Sequence, residues 1–120
     1  MKQLLWIWVL GAACHSGHAP ATDFIPGVYV RPIATEFAVG SDTLDISRQS
    51  GDVYGIHKRS GFQRVTRGKL QPKEWRQEKW TGVWQAEKGV LEEMKRGKLL
   101  HFNPAEGKLI VGSSEYVKVK

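Results

Sequence analysis

The sequence predicts an all-β fold, a small antiparallel up-and-down meander closing into a barrel. Three observations predict it. Apolar and polar residues alternate in short stretches, as in Thr43-Leu44-Asp45-Ile46-Ser47, where Leu44 and Ile46 share one face and the polar residues the other. Glycine breaks the chain repeatedly after residue 60, at Gly61, Gly68, Gly89, Gly97 and Gly107. Turn chemistry also joins the stretches, most clearly in Asn103-Pro104-Ala105-Glu106-Gly107 between Leu99-Leu100-His101-Phe102 and Lys108-Leu109-Ile110-Val111. Roughly eight to ten strand candidates follow, enough to close a barrel and remove its free edges.

The elements run in this order. Residues 1–13 read as an export signal: a basic start at Lys2, the apolar run Leu4-Leu5-Trp6-Ile7-Trp8-Val9-Leu10, and the small residues Gly11-Ala12-Ala13. The run is shorter than the ~20 residues a spanning helix needs. Cys14, the one cysteine of the chain, closes it. The ending resembles a lipobox, which makes Cys14 the expected lipidation site, although Gly11 stands where a lipobox usually has Leu. The competing cut follows Ala19-Pro20-Ala21 and gives a soluble protein. Residues 14–23 are small and polar, as a tether would be. A single β domain is expected over 24–120.

Within that domain Gly27-Val28-Tyr29-Val30-Arg31 opens the first strand. Glu36-Phe37-Ala38-Val39 is expected to meet Thr43-Leu44-Asp45-Ile46 across a turn at Gly40-Ser41-Asp42. Val53-Tyr54-Gly55-Ile56-His57 follows the turn Ser50-Gly51-Asp52, and Gly61 is read as turning the chain into Phe62-Gln63-Arg64-Val65. Glu115-Tyr116-Val117-Lys118-Val119 ends the chain as a strand. Two segments rich in helix formers compete with this reading. Pro72 to Trp80 has the composition of one short helix with Pro72 in its first turn, as does Val90 to Lys95. Trp80, Gly82 and Trp84 alternate as on a strand, which favours strands, with one short helix near residues 72–80 as the alternative.

The chain carries a formal charge of +6. Lys58, Arg59, Arg64, Arg67, Lys69, Lys73, Arg76 and Lys79 supply that excess between His57 and Trp80, opposed there by Glu74 and Glu78. Phe62, Trp75 and Trp80 are interleaved with them, a pattern suited to a polyanion surface as well as to a solvated face with inward aromatics. Export turns the expectation away from nucleic acid and toward acidic lipid headgroups, glycans or an acidic protein.

Catalytic and metal chemistry find little here. A Ser60/His57/Asp45 set can be drawn, but no nucleophile-elbow pattern surrounds a serine. Glu92 and Glu93 point to opposite faces of a strand, and His101 alternates with Leu100 and Phe102, so it is expected outside. Cys14, His15 and His18 are close together, but an acylated cysteine offers no thiolate. No catalytic residue, metal or cofactor is expected, and the chain is not read as an enzyme.

The residues Pro26-Gly27-Val28-Tyr29, Glu36-Phe37, Ser41-Asp42-Thr43-Leu44, Gly61-Phe62-Gln63-Arg64-Val65, Gly68-Lys69, Pro72-Lys73-Glu74 and Trp80 resemble small exported lipoproteins of Bacteroidota. The function of that group is generally unassigned, so the resemblance implies a compartment and brings no catalytic residues. By strand count alone the barrel is lipocalin-like.

Together these readings predict an exported, lipid-anchored envelope protein, an outer-membrane lipoprotein facing the periplasm. It would act as a small binding or interaction module for an apolar ligand or a partner protein. Leu44, Ile46, Phe62, Trp80 and Trp84 would line a ligand cavity or make plain core. The alternative is a soluble periplasmic or secreted protein whose basic hairpins over 57–80 bind an acidic glycan, lipid headgroup or protein.

Overall fold

A computed structural model describes residues 21–120. The expected signal over 1–13, Cys14, and the tether as far as residue 20 lie outside the described residues. The described residues begin with a single 3-10 turn, Ala21–Asp23.

Nine strands follow: β1 Gly27–Ala34, β2 Ala38–Ser50, β3 Val53–Thr66, β4 Lys69–Leu70, β5 Glu74–Gln85, β6 Val90–Glu93, β7 Leu99–Asn103, β8 Lys108–Val111 and β9 Ser114–Lys118. They lie in the order β2-β1-β9-β8-β7-β6-β5-β3-β4, and β2 also pairs with β3. That last pairing closes an eight-stranded antiparallel barrel with up-and-down connections, and β4 is a short spur on the end of β3. The predicted fold class is the one observed, including the lipocalin-like meander.

Two local expectations are corrected, and one alternative is excluded. Residues 72–80 hold no helix: β5 pairs with β3 from Phe62↔Glu74 to Val53↔Val83, and the long-range ladder overrides the helix-forming composition. Gly40-Ser41-Asp42 is not a turn but lies inside β2, near its start. The turn lies earlier, where the Thr35 hydroxyl accepts the N–H groups of Phe37 and Ala38 at 3.2 and 3.1 Å. Gly61 likewise lies inside β3, where a Cβ would stand 2.6 Å from the Trp75 ring. Both glycines mark close approaches within a sheet, the other meaning of a strand glycine. The turns at Gly51, Gly68, Gly89, Gly97 and Gly107 fall where expected, all with positive φ.

The barrel wall is uneven. β2, β3 and β5 span 13, 14 and 12 residues, whereas β6 to β9 span four or five each. β9 meets β1 at Tyr29 and Val30, and β6 meets β5 over Gly82–Gln85. Beyond those pairings β1, β2, β3 and β5 continue as a tall curved wall on one side of an open mouth.

The opposite end is plugged. Ile25 is fully buried, and Phe24 packs edge-on against Tyr29 and Phe102. The Tyr29 hydroxyl lies 2.8 Å from the carbonyl oxygens of both Phe24 and Ile25, its one proton shared between them, while the Lys118 ammonium donates to the Phe24 carbonyl. Between plug and mouth lie Leu44, Ile46, Tyr54, Ile56, Leu91, Leu100, Leu109 and Tyr116, each worth about 1.5–3 kcal/mol of burial. An eight-stranded barrel is just wide enough for side chains to fill it.

Candidate functional site

The register fixes what lines the mouth. Residues paired across antiparallel strands share a face, so each row across β1, β2, β3 and β5 can be followed. Gly27, Ile46, Ile56 and Trp80 make one row; Tyr29, Leu44, Lys58 and Glu78 make the next. Above them come Arg31, Asp42, Ser60 and Arg76, then Ile33, Gly40, Phe62 and Glu74. Across these rows the inner face changes from apolar core to charged mouth.

The Arg31 row is joined by hydrogen bonds. Arg31 Nη2 donates to Asp42 Oδ2 at 2.7 Å, and the Ser60 hydroxyl donates to Asp42 Oδ1 at 2.6 Å. Asp42 is buried, and Arg31 Nε is buried without a partner. The Arg31 guanidinium stands 5.8 Å from the Tyr116 ring centre. Burial, with Asp42 adding to it, pushes the Tyr116 hydroxyl up, so it remains a neutral phenol.

Trp80 organises the other side. The ammonium groups of Lys58 and Lys98 lie 5.7 and 4.6 Å from its ring centre. Its indole N–H donates to Glu78 at 2.9 Å, and that bond, reinforced by Lys58, Lys98 and Arg96, holds the Glu78 carboxyl below its usual range. An open cleft of about 430 Å³ lies between Arg31, Lys58, Trp80, Lys98 and Tyr116, with Leu99 and Val111 as apolar wall. A second of about 240 Å³ continues up the tall wall past Ser60, Phe62 and Arg76, and Lys58 borders both. Arg31, Lys58, Arg76 and Lys98 thus face Asp42 and Glu78, an excess of positive charge over aromatic surface.

The turn that presents Lys98 is fixed by a buried carboxylate. Glu93 accepts the N–H groups of Lys95 and Arg96 at 2.6 and 2.9 Å. Burial pushes the Glu93 carboxyl up, but these backbone donors outweigh it and hold it below its usual range.

The basic stretch read from the sequence divides in the structure. Lys58, Arg64 and Arg76 share the inner face, where Arg64 pairs with Glu74 at 2.7 Å. Arg59 and Lys79 point outward, opposite Gln77 and His57. Arg67 lies in the β3–β4 turn and Lys69 directly after it, and Lys73 lies over Trp75, its ammonium 4.5 Å from the ring centre. Of the apolar candidates, Leu44 and Ile46 are buried core, Trp84 packs against that core, and Phe62 and Trp80 border open clefts. Arg31, Asp42, Lys98 and Tyr116 escaped sequence reasoning because they come from three separate strands and a turn with no shared motif.

The drawn Ser60/His57/Asp45 set does not assemble. Ser60 is on the inner face bonded to Asp42, and His57 is on the outer face 2.8 Å from Gln77. His101 is an exposed side chain at the cleft rim. Among the described residues no three His, Cys, Asp or Glu side chains are grouped to hold a metal ion. No family model, curated protein or solved structure matches the chain.

Proposed function

We propose that this chain is a small exported binding module whose barrel mouth takes an anionic ligand with a modest apolar part. The observation that carries this reading is the convergence of Arg31, Lys58 and Lys98 on a cleft of about 430 Å³ floored by Trp80 and Tyr116. The cations supply charge-assisted donors, and the rings supply apolar surface at low entropic cost. The volume lies within the usual range for small-ligand sites. Leu44 and Ile46 border neither mouth cleft, so the apolar part of a ligand rests on the mouth rather than in the barrel centre. Envelope residence and lipid anchoring at Cys14 belong to the same reading and rest on the N-terminal sequence.

Phenyl phosphate, inorganic phosphate and phenol, titrated against Trp fluorescence, test the ligand class. Phenyl phosphate should bind best and phenol least. Lys98→Ala should cost about 1.5–3 kcal/mol of phenyl phosphate affinity, the worth of a hydrogen bond to a charged group. Equal binding of phenol and phenyl phosphate, or none of either, refutes the anionic reading. Intact mass of the mature protein tests the anchor: acyl mass on Cys14 supports it, and an N-terminus at Thr22 sinks it.

A further inference from the structure

The end of the tall wall carries three exposed apolar side chains: Phe37 in the β1–β2 turn, Leu70 in β4 and Trp75 in β5, exposed by 70%, 61% and 70%. Register brings them to one face. The Phe37 carbonyl accepts the Val65 N–H at 2.8 Å, Leu70 pairs with Val65, and Trp75 pairs with Gly61. Val65 and Gly61 share the outer face of β3, so all three side chains lie on the outside, away from the mouth. Trp75 lies against Gly61, where a Cβ would come within 2.6 Å of its ring. The ring is therefore oriented before it meets anything.

The charges around this tip are mostly positive. Residues 35–37 and 64–76 contain Arg64, Arg67, Lys69, Lys73 and Arg76 against Glu36 and Glu74, and Arg64 already holds Glu74. Among the described residues Arg67, Lys69 and Lys73 pair with no carboxylate. Aromatic side chains with bordering lysines and arginines are the composition of a membrane–water interface anchor. A stable protein interface asks instead for about 800 Å² per partner around a continuous apolar centre, more than separate knobs on a strand end provide.

We propose that this tip docks on an anionic lipid bilayer, with Phe37, Leu70 and Trp75 at the headgroup–acyl boundary and Arg67, Lys69 and Lys73 against lipid phosphates. It uses the face opposite the mouth, so neither this proposal nor the ligand reading stands or falls with the other.

Amide hydrogen exchange on the mature protein tests it, because a local readout works with or without an N-terminal acyl chain. The protein is measured with vesicles of phosphatidylcholine alone and of phosphatidylcholine containing phosphatidylglycerol. Amides of residues 35–39 and 64–70 should slow only with phosphatidylglycerol, while those of the distant turns at 85–89 and 103–107 should not change. Lys69→Ala and Lys73→Ala should each weaken this contact about fivefold. Phe37→Ser with Trp75→Ser should abolish it while leaving the circular dichroism spectrum unchanged, since both side chains are exposed. Equal slowing on both vesicle types, or none, overturns the proposal. Slowing that rises with protein concentration without vesicles also overturns it and assigns the tip to a second copy of the chain.

Discussion

Asp42→Asn tests the electrostatics of the mouth with the least change of shape. Asp42 is 5% exposed and accepts from Arg31 and Ser60, at 2.7 and 2.6 Å. The amide keeps one acceptor oxygen and turns the other into a donor, which then faces Arg31 or Ser60. Removing one partner of a buried ion pair costs about 3–5 kcal/mol. The Arg31 side chain is 33% exposed, so water takes up part of the loss, and about 2 kcal/mol of destabilisation is expected. The same change removes a negative charge roughly two strand spacings, or about 9 Å, from the cleft. With an effective dielectric constant of about 40, between that of a protein surface and of water, this is worth about 1 kcal/mol, or about fivefold tighter binding of phenyl phosphate. Urea unfolding measures the first effect and calorimetric titration the second. Stability unchanged within about 0.5 kcal/mol refutes the expectation that the buried Arg31–Asp42–Ser60 hydrogen bonds stabilise the fold. Lost stability without tighter binding places the anion elsewhere.

Three further outcomes are expected. Glu93→Gln should destabilise the protein by about 1–2 kcal/mol at neutral pH, because the turn's N–H groups lose a charged acceptor. The folded-state Glu93 pKa is depressed, so its contribution is complete above the ordinary glutamate value near 4.5 and is lost as pH falls through the lower folded value. Urea unfolding across that range should therefore show wild type and variant converging in acid. Arg67, at φ 54° before Gly68 at φ 75°, occupies a two-residue turn that favours Asn-Gly, so Arg67→Asn should raise stability by about 0.5–1 kcal/mol in thermal unfolding. Leu100→Ala, at a fully buried position in the barrel centre, should cost about 2–5 kcal/mol by urea unfolding.

Most of the fold was legible because its signals are local. Alternation in Thr43–Ser47 marked the inward residues of β2, and the glycines of the tight turns are needed for their positive φ. Gly40 and Gly61 misled for a physical reason. A glycine that gives way to a neighbour looks the same in sequence as one that turns the chain, and Phe62 and Trp75 are distant from their glycines in sequence. At residues 72–80 the strand reading drawn from Trp80, Gly82 and Trp84 holds over the helix alternative, because helix propensity is weak beside a ladder running from Phe62↔Glu74 to Val53↔Val83.

The sequence by itself determined the all-β class, the shared inward face of Leu44 and Ile46, and the concentration of charge between His57 and Trp80. Those depend on neighbours a few residues apart, where side-chain alternation and turn conformation act. Only the tertiary structure decided how that charge divides. Alternation sends Arg59 and Lys79 outward and Lys58 and Arg76 inward, register then joins the inner pair to Arg31 and Asp42 from other strands, and the β6–β7 turn brings Lys98 to Lys58. Register is set by closure of the whole barrel, a constraint that no short stretch of the chain contains.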